Sequence, residues 1–153
     1  MDTFTVAAPD CEARVRASFA QQGAMHTLGV SIGEVAPGRV VLEMAHTSAF
    51  SQQDGFMHAG ALATVLDSAC GYAAFTLMPA DARVLTIEFK INLLAPAHAE
   101  RYAFEGLVTK PGRTITVCDG TAWGVSGDVR KRIATMTGTM MAVRPVTKGS
   151  SER

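Results

Sequence analysis

A chain of 153 residues with 48% apolar and 18% charged side chains is long enough to bury the core of one domain, and its middle is neither fibrous nor disordered. Fourteen basic and fourteen acidic residues give a formal net charge of zero, and no basic stripe marks a nucleic-acid surface. A small anionic ligand is still compatible, because it needs only one or two local cations.

The first residues, MDTFTVAAPDCEARV, carry an acid at position 2 and no basic region followed by an apolar run, so they do not read as a signal peptide. Residues 1–8 are expected to fray. Pro9 and Asp10 then open a helix over CEARVRASFAQQGAM, with Val15 and Phe19 four apart, Asp10 as the N-cap and Gly23 as the stop. Leu28 to Ala36 and Arg39 to Ala45 read as two strands around the turn Ala36-Pro37-Gly38. Residues 46–57 form a polar loop with the turn signal Asp54-Gly55. An apolar helix follows from Ala59 to about Met78, broken by Pro79.

From Leu85 to Leu94 the period changes to two. Ile87, Phe89, Ile91 and Leu93 alternate with Thr86, Glu88, Lys90 and Asn92, as in a strand with one buried face. Arg101 to Lys110 and Arg113 to Val125 pair around Pro111-Gly112, and a last strand runs from about Arg132 to Val143. Residues 144–153 read as a disordered tail. Helix and sheet are segregated, so the class is α+β, with a long antiparallel sheet wrapped around one apolar helix.

The segment from Gly60 to Ala80 has nearly the length of a membrane span but carries Asp67 in its middle, where lipid is costly for a charge. A helix that is apolar all round also suits the interior of a soluble protein. Cys11, Cys70 and Cys118 are odd in number, far apart and free of CxxC spacing, which points away from disulfides and zinc and toward a reducing cytoplasm. His26, His46 and His98 show no metal-ligand spacing. Met25, Met57 and Met78 read as core or pocket lining, and Phe104 and Trp123 as core.

The chemically informative stretch runs from Gln52 to Asp67. A Gly-containing turn leads into a helix start built on the small residues Ala59, Gly60 and Ala61, where free N–H groups suit a developing negative charge. Asp67 then sits two turns into an otherwise apolar helix, and a buried carboxylate of this kind marks a functional site more often than a structural one. Eight residues separate Ala59 from Asp67, about 12 Å along a helix axis. One reacting carbon cannot touch both on a single helix. Two antiparallel helices across a two-fold axis would set each helix start beside the other helix's middle, so a homodimer is part of the expectation.

The run G-x-x-H-A-G-A-L-A-T-V-L-D followed by TIEFKINLLAPA resembles the PaaI-type and 4-hydroxybenzoyl-CoA-type hot-dog thioesterases over about Leu28 to Val143. The resemblance implies a hot-dog domain at 28–143, preceded by a helical segment at 1–27, and hydrolysis of an acyl-CoA thioester to free acid and CoA. It places the catalytic carboxylate at Asp67, the carbonyl-polarising N–H at Ala59 beside Gly60, an amide that touches the thioester or its water at Gln52, and a water-positioning hydroxyl at Thr86. His58 is expected to hold the helix entry beside the substrate, and Arg113 to meet the CoA phosphates. Ala59 replaces the family's usual Gly, and Gln52 its commoner Asn. The resemblance further implies a pair of dimers, with no cofactor beyond the CoA of the substrate. The competing reading is a non-catalytic acyl-CoA or acyl-carrier-protein binder on the same fold. A hot-dog dehydratase would require a His–acid pair in a different motif, which the chain lacks.

Overall fold

In this computed structural model, residues 4–145 are described. The expected tail therefore falls, from residue 146 onward, outside the described residues, as do residues 1–3 of the segment expected to fray. The rest of that segment is anchored: Phe4 packs against the core with its ring beside Gly38, and Ala8 is buried.

Helix α1 (Cys11–Phe19) buries Cys11, Val15 and Phe19 along one face. Asp10 occupies its N-cap position, but the side chain makes no capping hydrogen bond. Gly23 does not stop this helix. The backbone tightens after Phe19, with Gln21 N–H donating to Ser18 O and Gln22 N–H to Phe19 O, each at 3.0 Å. Gly23 then opens a second helix, α2 (Gly23–Leu28), which Gly29 ends with a left-handed φ of 69°.

Strands β1 (Val30–Ala36) and β2 (Arg39–Ala45) form a hairpin. Its turn is Pro37-Gly38, where Gly38 has φ of 75°, the position that demands glycine after a turn proline. A loop carrying a short 3-10 turn (Ser48–Phe50) leads to α3 (Ala59–Phe75), followed by β3 (Arg83–Leu93), β4 (Arg101–Lys110), β5 (Ile115–Ser126) and β6 (Val129–Val143). The strands make one antiparallel six-stranded sheet in the order β1-β2-β4-β5-β6-β3. The sheet curves around α3, giving the α+β hot-dog arrangement.

From Val65 to Ala74 every residue of α3 except Asp67 is buried. The packing is closest at two glycines of the sheet. A Cβ on Gly106 would lie 2.2 Å from the Ala69 carbonyl oxygen, and one on Gly120 would lie 2.9 Å from Cys70 Sγ. The helix can approach this closely because its own residues there, Ala69, Cys70 and Ala73, are small. Beyond its C-terminus, Thr76 Oγ1 donates to Ala73 O and accepts from Gly38 N–H at 2.8 Å. Arg14 donates to Met78 O at 3.0 Å and Pro79 O at 2.9 Å, with its guanidinium 4.6 Å above the Phe75 ring. These contacts tie α1 to the end of α3 and supply partners for carbonyls near that helix end.

Two burial expectations are corrected. Strand β3 forms where its period-two pattern places it, but its apolar face is not buried within one chain: Ile87 is 51% exposed, Phe89 42% and Leu93 54%. It lies at the sheet edge, and a bulge between Thr86 and Glu88 reverses the alternation along it. Trp123 is half-buried rather than core, with Arg130 stacked 4.3 Å over its ring. Phe104, Met25, Met57 and Met78 are all buried. The three cysteines are free and buried, and burial pushes the Cys118 thiol up to about 12. Among the described residues, no helix is long and apolar enough to cross a membrane.

The contact between Gly106 and Ala69 is the tightest in the core and involves buried backbone on the helix side. Gly106→Ala is expected to lower stability by about 1–3 kcal/mol or more, the overpacking range, read as a shift of the denaturant midpoint at unchanged slope.

Candidate functional site at the two ends of an exposed helix stripe

The loop before α3 folds back on itself. Gln52 N–H donates to Phe56 O at 2.8 Å and Gly55 N–H to Gln52 O at 3.1 Å, with Gly55 at φ of 84°. An isolated bridge joins Ser51 to Met57. Met57 N–H then donates to Ala97 O and His58 N–H to Phe50 O, each at 2.8 Å. The start of α3 is therefore clamped on two sides before the helix begins.

At the helix start the first N–H groups differ in occupancy. His58 is the N-cap, with extended backbone, and its Nδ1 accepts from Gly60 N–H at 2.9 Å. Ala61 and Leu62 N–H both donate to His58 O. Ala59 N–H has no hydrogen-bond partner among the described residues. Gly60 leaves room for the cap: a Cβ there would meet His58 Nδ1 at 3.1 Å, so the imidazole would have to give by a few tenths of an ångström. The imidazole is thus engaged in holding the helix entry.

Ala59 and Gln52 share a cavity of about 440 Å³ with Met57, Leu62, Leu93 and Pro96. Its walls are mainly apolar. The Gln52 amide is turned toward its own loop: Oε1 accepts from Asp54 N–H, while Nε2 lies 3.4 Å from the Asp54 carboxylate.

Asp67 lies two turns along α3, in a second cavity of about 300 Å³ whose walls include Ser18, Gln21, Gln22, Ser68 and Tyr72. These walls are polar, unlike the apolar pocket that an acyl group alone would lead one to expect. Thr86 Oγ1, from β3, donates to Asp67 Oδ1 at 2.8 Å. Burial raises the Asp67 carboxyl above its ordinary value, and the Thr86 hydrogen bond offsets part of that rise by favouring the charged form. A base with a raised pKa, held by one hydroxyl and, among the described residues, without a cation partner, is suited to accept a proton.

The structure thus brings Asp67 and Thr86 together, and separately Ala59, Gly60, His58 and Gln52. It does not bring the two sets together within one chain. Between them Gly60, Ala63, Thr64 and Asp67 follow one face of α3 that is wholly or partly exposed. Arg113 lies apart, in a cavity of about 340 Å³ with Pro111, Gly112 and Arg144 near the other end of α3. Among the described residues it has no acidic partner. Sequence reasoning did not single out Ser18, Gln22, Ser68 or Tyr72. Ser68 and Tyr72 are four apart and share a helix face with each other, but their spacing from Asp67, one and five residues, gives no local signal that they line its cavity.

Two outcomes follow for Asp67. Thr86→Val removes the donor to the carboxylate, so the Asp67 titration followed by carboxyl NMR is expected to move to higher pH. The folded pKa of Asp67 lies above its unfolded value, so the folded state binds this proton more tightly. Its contribution to stability is present below the unfolded pKa and is lost as pH rises through the folded one. Asp67→Asn is accordingly expected to leave stability at neutral pH unchanged or higher, measured by denaturant unfolding.

Residues 54–131 match the family model described as the thioesterase superfamily. A candidate esterase of Saccharolobus solfataricus is 33% identical over 92 residues, covering 60% of this chain and 65% of that protein. A crystal structure of a thioesterase family protein from Silicibacter pomeroyi is 53% identical with a TM-score of 0.87, over 88% of this chain and 99% of that one. The PaaI protein from the phenylacetic acid degradation operon of E. coli, at 20% identity and a TM-score of 0.78 over 87% of this chain and 93% of its own, shares the fold. With more than half its length in the family model and a closely similar solved relative, the chain belongs to the thioesterase superfamily, and its architecture is that of the PaaI-like hot-dog proteins.

Proposed function

We propose that the protein hydrolyses acyl-CoA thioesters to the free acid and CoA in a site shared by two copies of the chain. The observation that carries this reading is the unpartnered Ala59 N–H at the start of α3, eight residues from the one charged side chain of that helix. The thioester carbonyl oxygen accepts from Ala59 N–H of one copy while Asp67 of the other acts at the carbon. Asp67 is the general base or the nucleophile. As base it takes a proton from the attacking water. As nucleophile its carboxylate oxygen forms an acyl anhydride that water then opens. On either route the C–S bond breaks, the electron pair leaves with the CoA sulfur, and that sulfur ends protonated.

The other residues take supporting roles. Thr86 fixes the carboxylate, and Gln52, released from Asp54, reaches the thioester or its water. Gly60 and His58 shape the entry beside the substrate. Ala59 retains the N–H that the family's usual glycine supplies, at the cost of one methyl beside the carbonyl. Arg113, without an acidic partner, meets the CoA phosphates.

Pairing of two chains is supported by features that a lone chain leaves open. Edge strand β3 exposes Ile87, Phe89 and Leu93, and α3 exposes the stripe that joins the two half-sites. A second copy covering both would supply the missing half of each site, and the family resemblance extends this to a pair of dimers. The free, buried cysteines support a reducing, cytoplasmic setting. A binding-only role leaves the partly buried carboxylate without a use.

Ala59 offers a clean test because it is the first helical residue, where proline is favoured and the preceding extended His58 tolerates it. Ala59→Pro replaces the N–H with a ring methylene and leaves the helix start in place. It is expected to lower kcat for acyl-CoA hydrolysis by roughly 10²–10³-fold in a folded protein, the loss typical of one oxyanion donor. Asp67→Asn is expected to lower kcat at least about a hundredfold while acyl-CoA still binds. Near-normal thiol release by either variant would refute its assigned role, and a wild type that binds acyl-CoA without releasing thiol would establish the binding-only reading.

A further inference from the structure

Tyr102 is completely buried in β4, and its hydroxyl meets three groups. It lies 2.8 Å from His46 Nδ1, 3.1 Å from Ala97 O and 3.3 Å from Ala99 N. A phenol has one proton to donate. Ala97 O can only accept and Ala99 N–H can only donate, so all three contacts are satisfied at once when Tyr102 donates to Ala97 O and His46 carries its proton on Nδ1. The other ring nitrogen, Nε2, is then an acceptor 3.5 Å from Ser51 Oγ, whose single proton goes either to it or to Thr47 O at 3.1 Å.

Two of these partners, Ala97 and His46, reach the loop that leads into α3. Ala97 O also accepts from Met57 N–H at 2.8 Å, so one carbonyl receives both the buried hydroxyl and the backbone two residues before Ala59. Ser51 bridges to Met57 and precedes Gln52. His98 adds edge contacts, its ring 5.7 Å from His46 and 6.1 Å from Phe56. Met57 and Phe56 in turn line the cavity that Ala59 opens into.

We infer that Tyr102 and His46 are positioning residues, which through Ala97 O and Ser51 hold the 51–58 loop so that the Ala59 N–H and Gln52 face the reacting thioester. The inference rests on the reading of Ala59 as the carbonyl-binding N–H. Neither residue touches substrate. Their effect is on aim: an oxyanion donor works only when it already points to where charge develops, and a displacement of about 1 Å at such a group can cost on the order of a hundredfold in rate. Loss of the hydroxyl leaves Ala97 O with the Met57 bond alone and His46 without its Nδ1 acceptor, so two sides of the loop loosen together.

Tyr102→Phe keeps the ring and removes the node. Acyl-CoA turnover in this variant is expected to show kcat reduced by about ten- to a hundredfold, with KM changed by less than about twofold. Amide exchange at Met57 and His58 is expected to accelerate, while exchange in β5 is unaffected. His46→Asn retains a donor near the Nδ1 position and is expected to keep most of kcat, whereas His46→Leu is expected to lose it. A folded Tyr102→Phe variant with unchanged kcat, or with unchanged exchange at Met57, would overturn the inference. Should Tyr102→Phe not fold, equal kcat values for His46→Asn and His46→Leu would overturn it, and retention by Asn alone would support it. If the wild type hydrolyses no acyl-CoA, the proposed function fails, and the exchange measurement still decides whether this node holds the loop.

Discussion

The contact on which the rest of the molecule depends is the backbone approach of α3 to the sheet at Gly106. There is no room for a Cβ between Gly106 and the Ala69 carbonyl, and little between Gly120 and Cys70. Packing this close fixes both the depth of the helix and its rotation about its own axis, because turning the helix would bring a larger residue against strand backbone. It explains why the helix is rich in alanine and glycine. It also decides which residues stay outside the packed interior: with Ala69 and Ala73 against the sheet, Asp67 turns toward β3, where Thr86 reaches it at 2.8 Å. The position of the carboxylate is therefore a consequence of core packing.

The same helix carries the two halves of the proposed chemistry at opposite ends of an exposed stripe. At its start, three of the first four N–H groups are occupied by His58, leaving Ala59 as the one available to an incoming carbonyl. Two turns later the carboxylate sits in a polar cavity walled by the α1–α2 elbow, while the cavity at Ala59 is largely apolar. The Ala59 N–H belongs to one cavity and Asp67 to the other. The rigidity of a helix keeps these groups about 12 Å apart whatever the loops do, which makes a second chain the simplest source of the missing half. On the proposed reading, the same second chain would cover the exposed apolar residues of β3.

Much of this was legible in the residues. Proline and glycine marked the hairpin turn at Pro37-Gly38, the end of the helical region before Pro79, and the turn at Pro111-Gly112, because each acts through local backbone geometry. The helix start at Ala59 and the isolated acid at Asp67 were local features too. What escaped depended on contacts between distant residues. The break between α1 and α2 has no proline, and its glycine opens a helix instead of closing one. The period of β3 identified a strand but not what covers it, since alternation records a face and not its partner. Trp123 is apolar by composition yet faces Arg130, a cross-strand neighbour that no local pattern reveals. The polar wall beside Asp67 and the Tyr102–His46 pair join residues separated by about fifty positions, so no spacing rule brings them together.

The central claim is that one chain supplies the Ala59 N–H and another supplies Asp67. It is tested most directly by mixing two inactive variants, Ala59→Pro and Asp67→Asn, under conditions that exchange subunits. A mixed dimer holds one site with both groups intact and one with neither, and random pairing makes half the dimers mixed. The account therefore predicts recovery of about a quarter of the wild-type rate of acyl-CoA hydrolysis on equimolar mixing. If the mixture, shown to contain mixed dimers, stays as inactive as its two components, the shared site is contradicted.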